Sequence, residues 1–312
     1  MTLDKISTLA GTITTIAIVL IVYIATAYAF EPTGVAITVD DLPSHANTTN
    51  TETRLNIVQR FLAVLEEHHV GEAYGFANAK TVNDEPEMRA VLVEWTKHYP
   101  LGNHSYSHMD LNRNSAEKFL ADVQAGEPLL RELSPGNSYL WFRYPFLREG
   151  NTLHKRDAVR AGLARLNYKI AQVTIDFGDW EWNDPYVRCY EARDQKSIHW
   201  LETSYIKHAI NQLNWAKEAS LRVFGRPINQ ILLLHIGHFN SLMLDKLLTA
   251  YEHEGVHYIS LAEASADPAY KVNPNTVDAS NFLEQLLSAR KIHYPEVSPL
   301  PSRELERACL KD

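Results

Sequence analysis

The chain has 312 residues, 45% of them hydrophobic and 22% charged, with a formal net charge of -8. That is globular composition with enough apolar residues for a sizeable core. The acidic balance argues against nucleic acid as a partner, because a phosphate-binding face needs a basic surplus. The two cysteines, Cys189 and Cys309, stand far apart and outside any CxxC pair. No Cys-ligated metal site is therefore expected, and spacing alone leaves open whether the two bridge.

No charged residue occurs between Ile6 and Phe30, and the stretch Ile13–Ile24 is strongly apolar, ending in the small-x-small run Ala27-Tyr28-Ala29. Residues 1–29 are expected to be a cleaved signal peptide. Retention as a membrane anchor is the alternative, since about 20 apolar residues span a bilayer. Either way the domain is expected outside the cytoplasm: periplasmic, secreted, or anchored to the membrane by this segment alone.

From Gly34 onward, short apolar runs alternate with amphipathic stretches of helical period. Strands are predicted at Val35–Val39, Ala73–Ala77, Leu101–Asn103, Tyr139–Arg143, Lys169–Ile175, Ile231–Leu234 and His257–Ser260. Helices are predicted at Arg54–His68, Glu85–Lys97, Ala116–Glu132, Thr152–Leu166, Leu201–Phe224 and Leu242–Glu254. This β-then-α alternation predicts one α/β domain over residues 30–266, a parallel sheet with outer helices, open or closed into a barrel. Gly178–Trp200 reads as a long loop over the rim. Residues 267–312 read as a C-terminal extension with one helix, Ser280–Lys291.

Parallel α/β sheets collect functional groups at the C-terminal ends of their strands. Asp40 and Asp41 end the first predicted strand, His104 the third, Arg143 the fourth and His235 the sixth, with Asp176 following the fifth. Taken alone, an acidic pair is more often a solvated turn, and Arg143 or His235 a structural strand end. Five strands delivering polar groups to one rim is a far more specific pattern.

Alternation along a strand would turn Asp40 and Asp41 to opposite faces, one toward a cation and one left as a base. The four-residue spacing of His104 and His108 would set both imidazoles on one side of a helical turn. Two His and one carboxylate make a three-ligand site with open positions. That set suits Zn²⁺ or another divalent first-row ion such as Co²⁺, Ni²⁺ or Mn²⁺. Arg143 could keep Asp40 ionised, and His235 could act as an acid.

These residues resemble the five ordered motifs of the polysaccharide deacetylases, the carbohydrate esterases with a NodB-homology domain. The motifs run through Thr38–Pro43, Gly102-Asn103-His104-Ser105-Tyr106-Ser107-His108, Arg143-Tyr144-Pro145-Phe146, Asp176-Phe177-Gly178-Asp179-Trp180 and Leu233-Leu234-His235. The resemblance implies a distorted seven-stranded (β/α) barrel and removal of acetyl groups from a carbohydrate. It implies Asp40 as base, Asp41, His104 and His108 as metal ligands, and Arg143 as the residue orienting the base. It also implies the Phe146 N–H as oxyanion donor, Asp179 tuning the acid His235, Trp180 as a pocket wall and Leu233 against the acetyl group.

Two departures stand out: Leu42 where the family has glycine, with a possible narrowing of the approach to the metal, and Val39 where an aromatic is common. N-acetyl groups of an amino-sugar polymer are the first expectation for the substrate. O-acetyl esters of a xylan type, a silent carbohydrate-binding protein, and a membrane-tethered assembly component are the alternatives. Trp182 and Trp200 join Trp180 as expected sugar-stacking residues, and Trp95, Trp141 and Trp215 are expected in packing. His238 is a further candidate for the pocket.

Overall fold

The computed structural model describes residues 32–277, 280–293 and 299–310; the N-terminal segment expected to be a signal or anchor lies outside them. The described residues form seven strands: β1 (Thr33–Leu42), β2 (Ala73–Ala77), β3 (Leu101–Asn103), β4 (Trp141–Phe142), β5 (Lys169–Ile170), β6 (Gln230–His235) and β7 (Val256–Tyr258). Every pairing is parallel, in the order β5-β4-β3-β2-β1-β6, with β7 also on β1. Beyond β5, Ile175 bridges Leu232 of β6, and the Leu233 N–H reaches the Ile175 carbonyl at 3.0 Å. The sheet therefore curls toward a barrel within one α/β domain, as the alternation of elements predicts.

β1 is its spine. Val35, Ala36, Ile37 and Val39 are all but inaccessible, because a parallel strand covered on both faces buries side chains of both parities. The covering helices include α1 (Arg54–Glu67), α2 (Ala79–Asp84), α3 (Arg89–Thr96), α4 (Ala116–Ala125), α5 (Glu127–Leu133) and α6 (Leu153–Arg165). In α1, the Thr53 side chain accepts the Asn56 N–H as an N-cap, and Phe61, Leu62 and Leu65 turn into the core. Such a cap typically contributes about 1 kcal/mol.

Several predicted boundaries moved, for identifiable reasons. The single helix expected over Ala116–Glu132 breaks at Gly126, with a proline in the first turn of α5. Proline lacks the N–H that a continuing helix needs. The strand expected at Tyr139–Arg143 shrinks to β4 because Pro135–Leu140 winds into a 3-10 helix. Gly178–Trp200 is not a loop. It comprises a 3-10 turn over Asp179–Trp182, helix α7 (Asn183–Glu191) and the start of α8 (Gln195–Phe224). Asp194 caps α8 by accepting the Ser197 N–H, and Gly225 ends it at φ 69°, a left-handed conformation glycine adopts without strain. Within Gly178–Trp200, Trp182 is buried: it packs edge-on to Tyr205, as Phe177 does, and Tyr205 meets Phe239.

Helix α9 (His238–His253) follows β6 and α10 (Leu261–Ser265) follows β7. After Asp267 come α11 (Phe282–Ala289) and α12 (Ser302–Arg307). Phe282, Leu283, Leu286 and Leu287 of α11 and Leu305 of α12 are buried in the main core. Cys189 of α7 and Cys309, just past α12, form a disulfide with Cα atoms 5.1 Å apart. Among the described residues, no helix is long and apolar enough to cross a membrane.

Candidate active site and metal centre

The C-terminal ends of β1, β3 and β6, the segment after β4 and the Asp176–Trp180 turn enclose a pocket of about 500 Å³. Asp40 pairs in register with His235 across β1 and β6. Beyond Asp40 the register of β1 against β2 shifts, and Asp41 takes φ 64°. A left-handed residue breaks the two-residue alternation of a strand. Both carboxylates therefore line the one pocket instead of turning to opposite faces.

Their surroundings differ sharply. Asp40 is buried, and both its oxygens lie 3.2 Å from Nη1 of Arg143. Arg143 is itself buried, donating Nε–H to the Ala171 carbonyl at 2.9 Å and Nη2–H to Thr38 Oγ1 at 3.0 Å. Its guanidinium also rests over the Phe76 ring. Removing either partner of such a pair strands a buried charge, at a cost of about 3–5 kcal/mol.

Asp41 faces the histidines. Its Oδ1 lies 3.4 Å from His104 Nε2 and 3.3 Å from His108 Nε2. The three donor atoms fall within 4.8 Å of one another. His104 is oriented by its other nitrogen, 2.9 Å from the Arg143 carbonyl. An Nδ1–H donated there leaves the Nε2 lone pair directed at Asp41. The two histidines are not on a helical turn. They sit in a loop where Ser105 (φ 62°) and His108 (φ 56°) are left-handed. Asn78 Nδ2 anchors that loop on the His104 and Ser105 carbonyls, and Asp122 accepts from the N–H and Oγ of Ser107.

This donor set fits a divalent ion. Asp41 Oδ1 is buried without a hydrogen-bond partner, a costly state for a carboxylate oxygen unless a cation takes it. Donors each about 2.1 Å from one tetrahedral ion stand roughly 3.4 Å apart, close to the separations seen here. Burial and the neighbouring His104 push the His108 imidazole down to about 4, so at neutral pH it is in the uncharged, ligating form. Burial works to raise the Asp41 carboxyl, but the neighbouring His104, His45 and His235 rings hold it well below the usual range, and it stays anionic.

On the opposite wall His235 Nδ1 lies 2.7 Å from Asp179 Oδ1, and the His235 N–H reaches Asp179 Oδ2 at 2.7 Å. Burial disfavours the charged ring. The Asp179 charge and hydrogen bond outweigh it, with Asp41 and Asp40 adding to the effect, and His235 is pushed up to about 10. Asp179 reaches this position through Gly178, whose φ of 64° turns the chain. Asp176 is held by the Gly178 N–H and raised by burial.

Phe146, Trp180 and Leu233 line the same pocket. Phe146 (φ 59°) and Leu147 (φ 52°) are left-handed, and the Phe146 ring packs edge-on to His108. Phe146 is 52% exposed and Trp180 45%, so both present open aromatic faces at the mouth. The ten residues that the family resemblance implies for the site are thus brought to one pocket or its immediate support.

Other expectations fail. Trp182 is fully buried and donates its indole N–H to Ser204, so no sugar reaches it. Trp200 packs against the core away from this pocket. His238 is buried with Nε2 3.5 Å from Glu52. Leu42 does not narrow the approach; it is buried in the core, near Gly75 and Trp95. His45, Ser280, Asn281 and Glu284 line the pocket and were not foreseen. His45 had a signal, standing four residues past Asp41. The others arrive on α11, which nothing in its sequence ties to the rim.

A family model for polysaccharide deacetylase matches residues 28–171. No curated protein sequence matches the chain. Among solved structures, the chain is similar to a mutant of a CE4 family pseudoenzyme with restored activity, at 19% identity and TM-score 0.52 over 75% of this chain and 68% of that one. The wild-type pseudoenzyme, from Bacillus anthracis, gives 17% identity and TM-score 0.50 over 75% and 66%. The D-to-S mutant of the peptidoglycan deacetylase PdaC from Bacillus subtilis gives 19% identity and TM-score 0.50 over 77% and 95%. At these identities the likeness is one of fold, and it is shared by active and inactive proteins, so activity has to be argued from the side chains. Residues 28–171 thus match the polysaccharide deacetylase family model, and the fold that holds them is like that of CE4 family structures.

Proposed function

We propose that the protein is a metal-dependent hydrolase that removes acetyl groups from an extracytoplasmic carbohydrate, with N-acetyl groups of an amino-sugar polymer as substrate. The observation that carries this reading is one pocket holding three separate devices. They are the Arg143-clasped Asp40, the Asp41–His104–His108 donor set, and the Asp179-supported His235. A divalent ion bound by that set, with Zn²⁺ the first candidate and Co²⁺, Ni²⁺ or Mn²⁺ next, supplies Lewis acidity toward the acyl oxygen and water.

Asp40, clasped by Arg143, takes a proton from the attacking water as the water oxygen bonds to the acetyl carbon. The Phe146 N–H stabilises the negative charge gathering on the carbonyl oxygen, a donor type worth about 3 kcal/mol. His235 then gives its proton to the sugar nitrogen as the C–N bond breaks, leaving acetate and an amine. The raised proton affinity of His235 supports the amide over the ester, because an amine departs poorly unless protonated. Leu233 closes around the methyl group, and Trp180 offers a face for the sugar ring. The Cys189–Cys309 bridge supports an exported domain, since such bonds persist in oxidising compartments.

Acetate release by the chain from Glu31 onward tests this, with Zn²⁺ or a chelator, on N-acetylglucosamine oligomers, peptidoglycan and acetylated xylan. Asp40→Asn should cut the rate by about 10²–10⁴-fold while Zn²⁺ still binds. Release from xylan alone would move the reading to the ester. No release from any of the three by Zn²⁺-loaded protein would sink it in favour of a silent carbohydrate binder.

A further inference from the structure

His45 has no role in the steps above, yet it touches both halves of the site. Its Nδ1 lies 2.7 Å from Asp41 Oδ2, and its ring centroid is 4.8 Å from that of His235. The two oxygens of Asp41 are thereby treated differently. Oδ2 is engaged by His45, whereas Oδ1, facing His104 and His108, is buried with no hydrogen-bond partner. Nothing else in the hydrogen-bonding of the described residues tells the two oxygens apart.

The loop carrying His45 is built rather than incidental. Arg54, the first residue of α1, donates Nη1–H to the His45 carbonyl at 2.8 Å and Nη2–H to the Ala46 carbonyl. Ala46 is left-handed at φ 52°, and Asn183 Nδ2 holds the Asn47 carbonyl at 2.8 Å. The imidazole is therefore fixed against Asp41 by helix α1 on one side and α7 on the other. A carboxylate at a left-handed strand end is free to turn about its last bond unless one oxygen is restrained.

We propose that His45 is a positioning residue of the metal centre, donating Nδ1–H to Asp41 Oδ2 and so presenting Oδ1 alone to the ion shared with His104 and His108. This rests on the metal site of the function proposed above and deepens it. Partners of this kind set ligand orientation, and their loss lowers metal affinity by about 10–100-fold.

The test reads Zn²⁺ affinity, by competition with a chromophoric chelator, in the stripped full-length protein and without substrate. Three variants separate donation from packing. His45→Leu keeps bulk and removes the donor. His45→Asn places an amide N–H near the Nδ1 position, and His45→Gln places it a methylene further out. Near-UV circular dichroism of each stripped variant checks the fold.

Leu and Gln at this position should weaken Zn²⁺ binding by about 10–100-fold, with Asn within about threefold of wild type. A folded Leu variant binding as wild type does would overturn the proposal, and so would equal losses in Asn and Gln. The Asn–Gln contrast decides the matter even if the Leu variant misfolds. Wild-type protein that binds no Zn²⁺ overturns proposal and metal centre together. Tight Zn²⁺ binding without acetate release overturns only the deacetylase reading.

Discussion

Asp40 and Asp41 are chain neighbours, yet one is locked to a guanidinium and the other is turned toward three imidazoles. One left-handed φ at Asp41 accounts for the divergence. The opposite-charge pair on the far wall makes a pH prediction. Asp179 lifts His235 from its ordinary 6.5 to about 10. Because the folded value exceeds the unfolded one, the stabilisation is complete below about pH 6.5 and is lost as pH rises through about 10. In metal-free protein, Asp179→Asn should therefore lower the unfolding midpoint most near pH 6, with the deficit shrinking toward pH 10. In the loaded enzyme the same variant should move the alkaline limb of kcat to lower pH. A deficit that does not change with pH would contradict the assignment.

At the level of elements, the helix that contributes most unexpectedly is α11. Its buried face joins the core while Ser280, Asn281 and Glu284, at its start, form part of the pocket wall. Asn281 and Glu284 form a capping box, each side chain accepting the other's backbone N–H. Burial raises the Glu284 carboxyl, and the nearby Asp176 adds to this. Glu284→Gln preserves an acceptor for the cap but removes the charge. If α11 reads the sugar, KM for oligomers should rise several-fold with kcat changed by less than about twofold. Equal loss in kcat and kcat/KM would put Glu284 in the chemistry instead.

At the scale of the whole molecule, one covalent link and one ion are expected to hold parts distant in sequence. The disulfide joins residues 120 apart and ties the end of the chain to α7. Replacing both cysteines with serine should cost about 2–4 kcal/mol in denaturant unfolding, with little change in acetate release at low temperature. Zn²⁺ should raise the thermal midpoint, since an ion held only by the folded state stabilises it by about 2.7 kcal/mol at a hundredfold excess over Kd. Asp41→Asn should abolish that Zn²⁺-dependent rise, and a rise retained in full would place the ion elsewhere.

Chain order alone carried the alternation of strands and helices, and so the parallel sheet. It also carried the polar residues at strand ends, because a strand buried on both faces can place hydrophilic groups only where it leaves the sheet. Periodicity failed where the backbone leaves regular conformations. Asp41, Ser105 and His108 are left-handed, so neither strand alternation nor helical spacing described how their side chains converge. Trp182, expected at the surface, found its place from the burial of Phe177, Tyr205 and Phe239 around it. His45 and α11 reach the pocket, and Cys189 reaches Cys309, through contacts between segments far apart in the chain or across an irregular turn. Local sequence encodes conformation over a few residues at a time, whereas such contacts exist only once packing has brought the segments together.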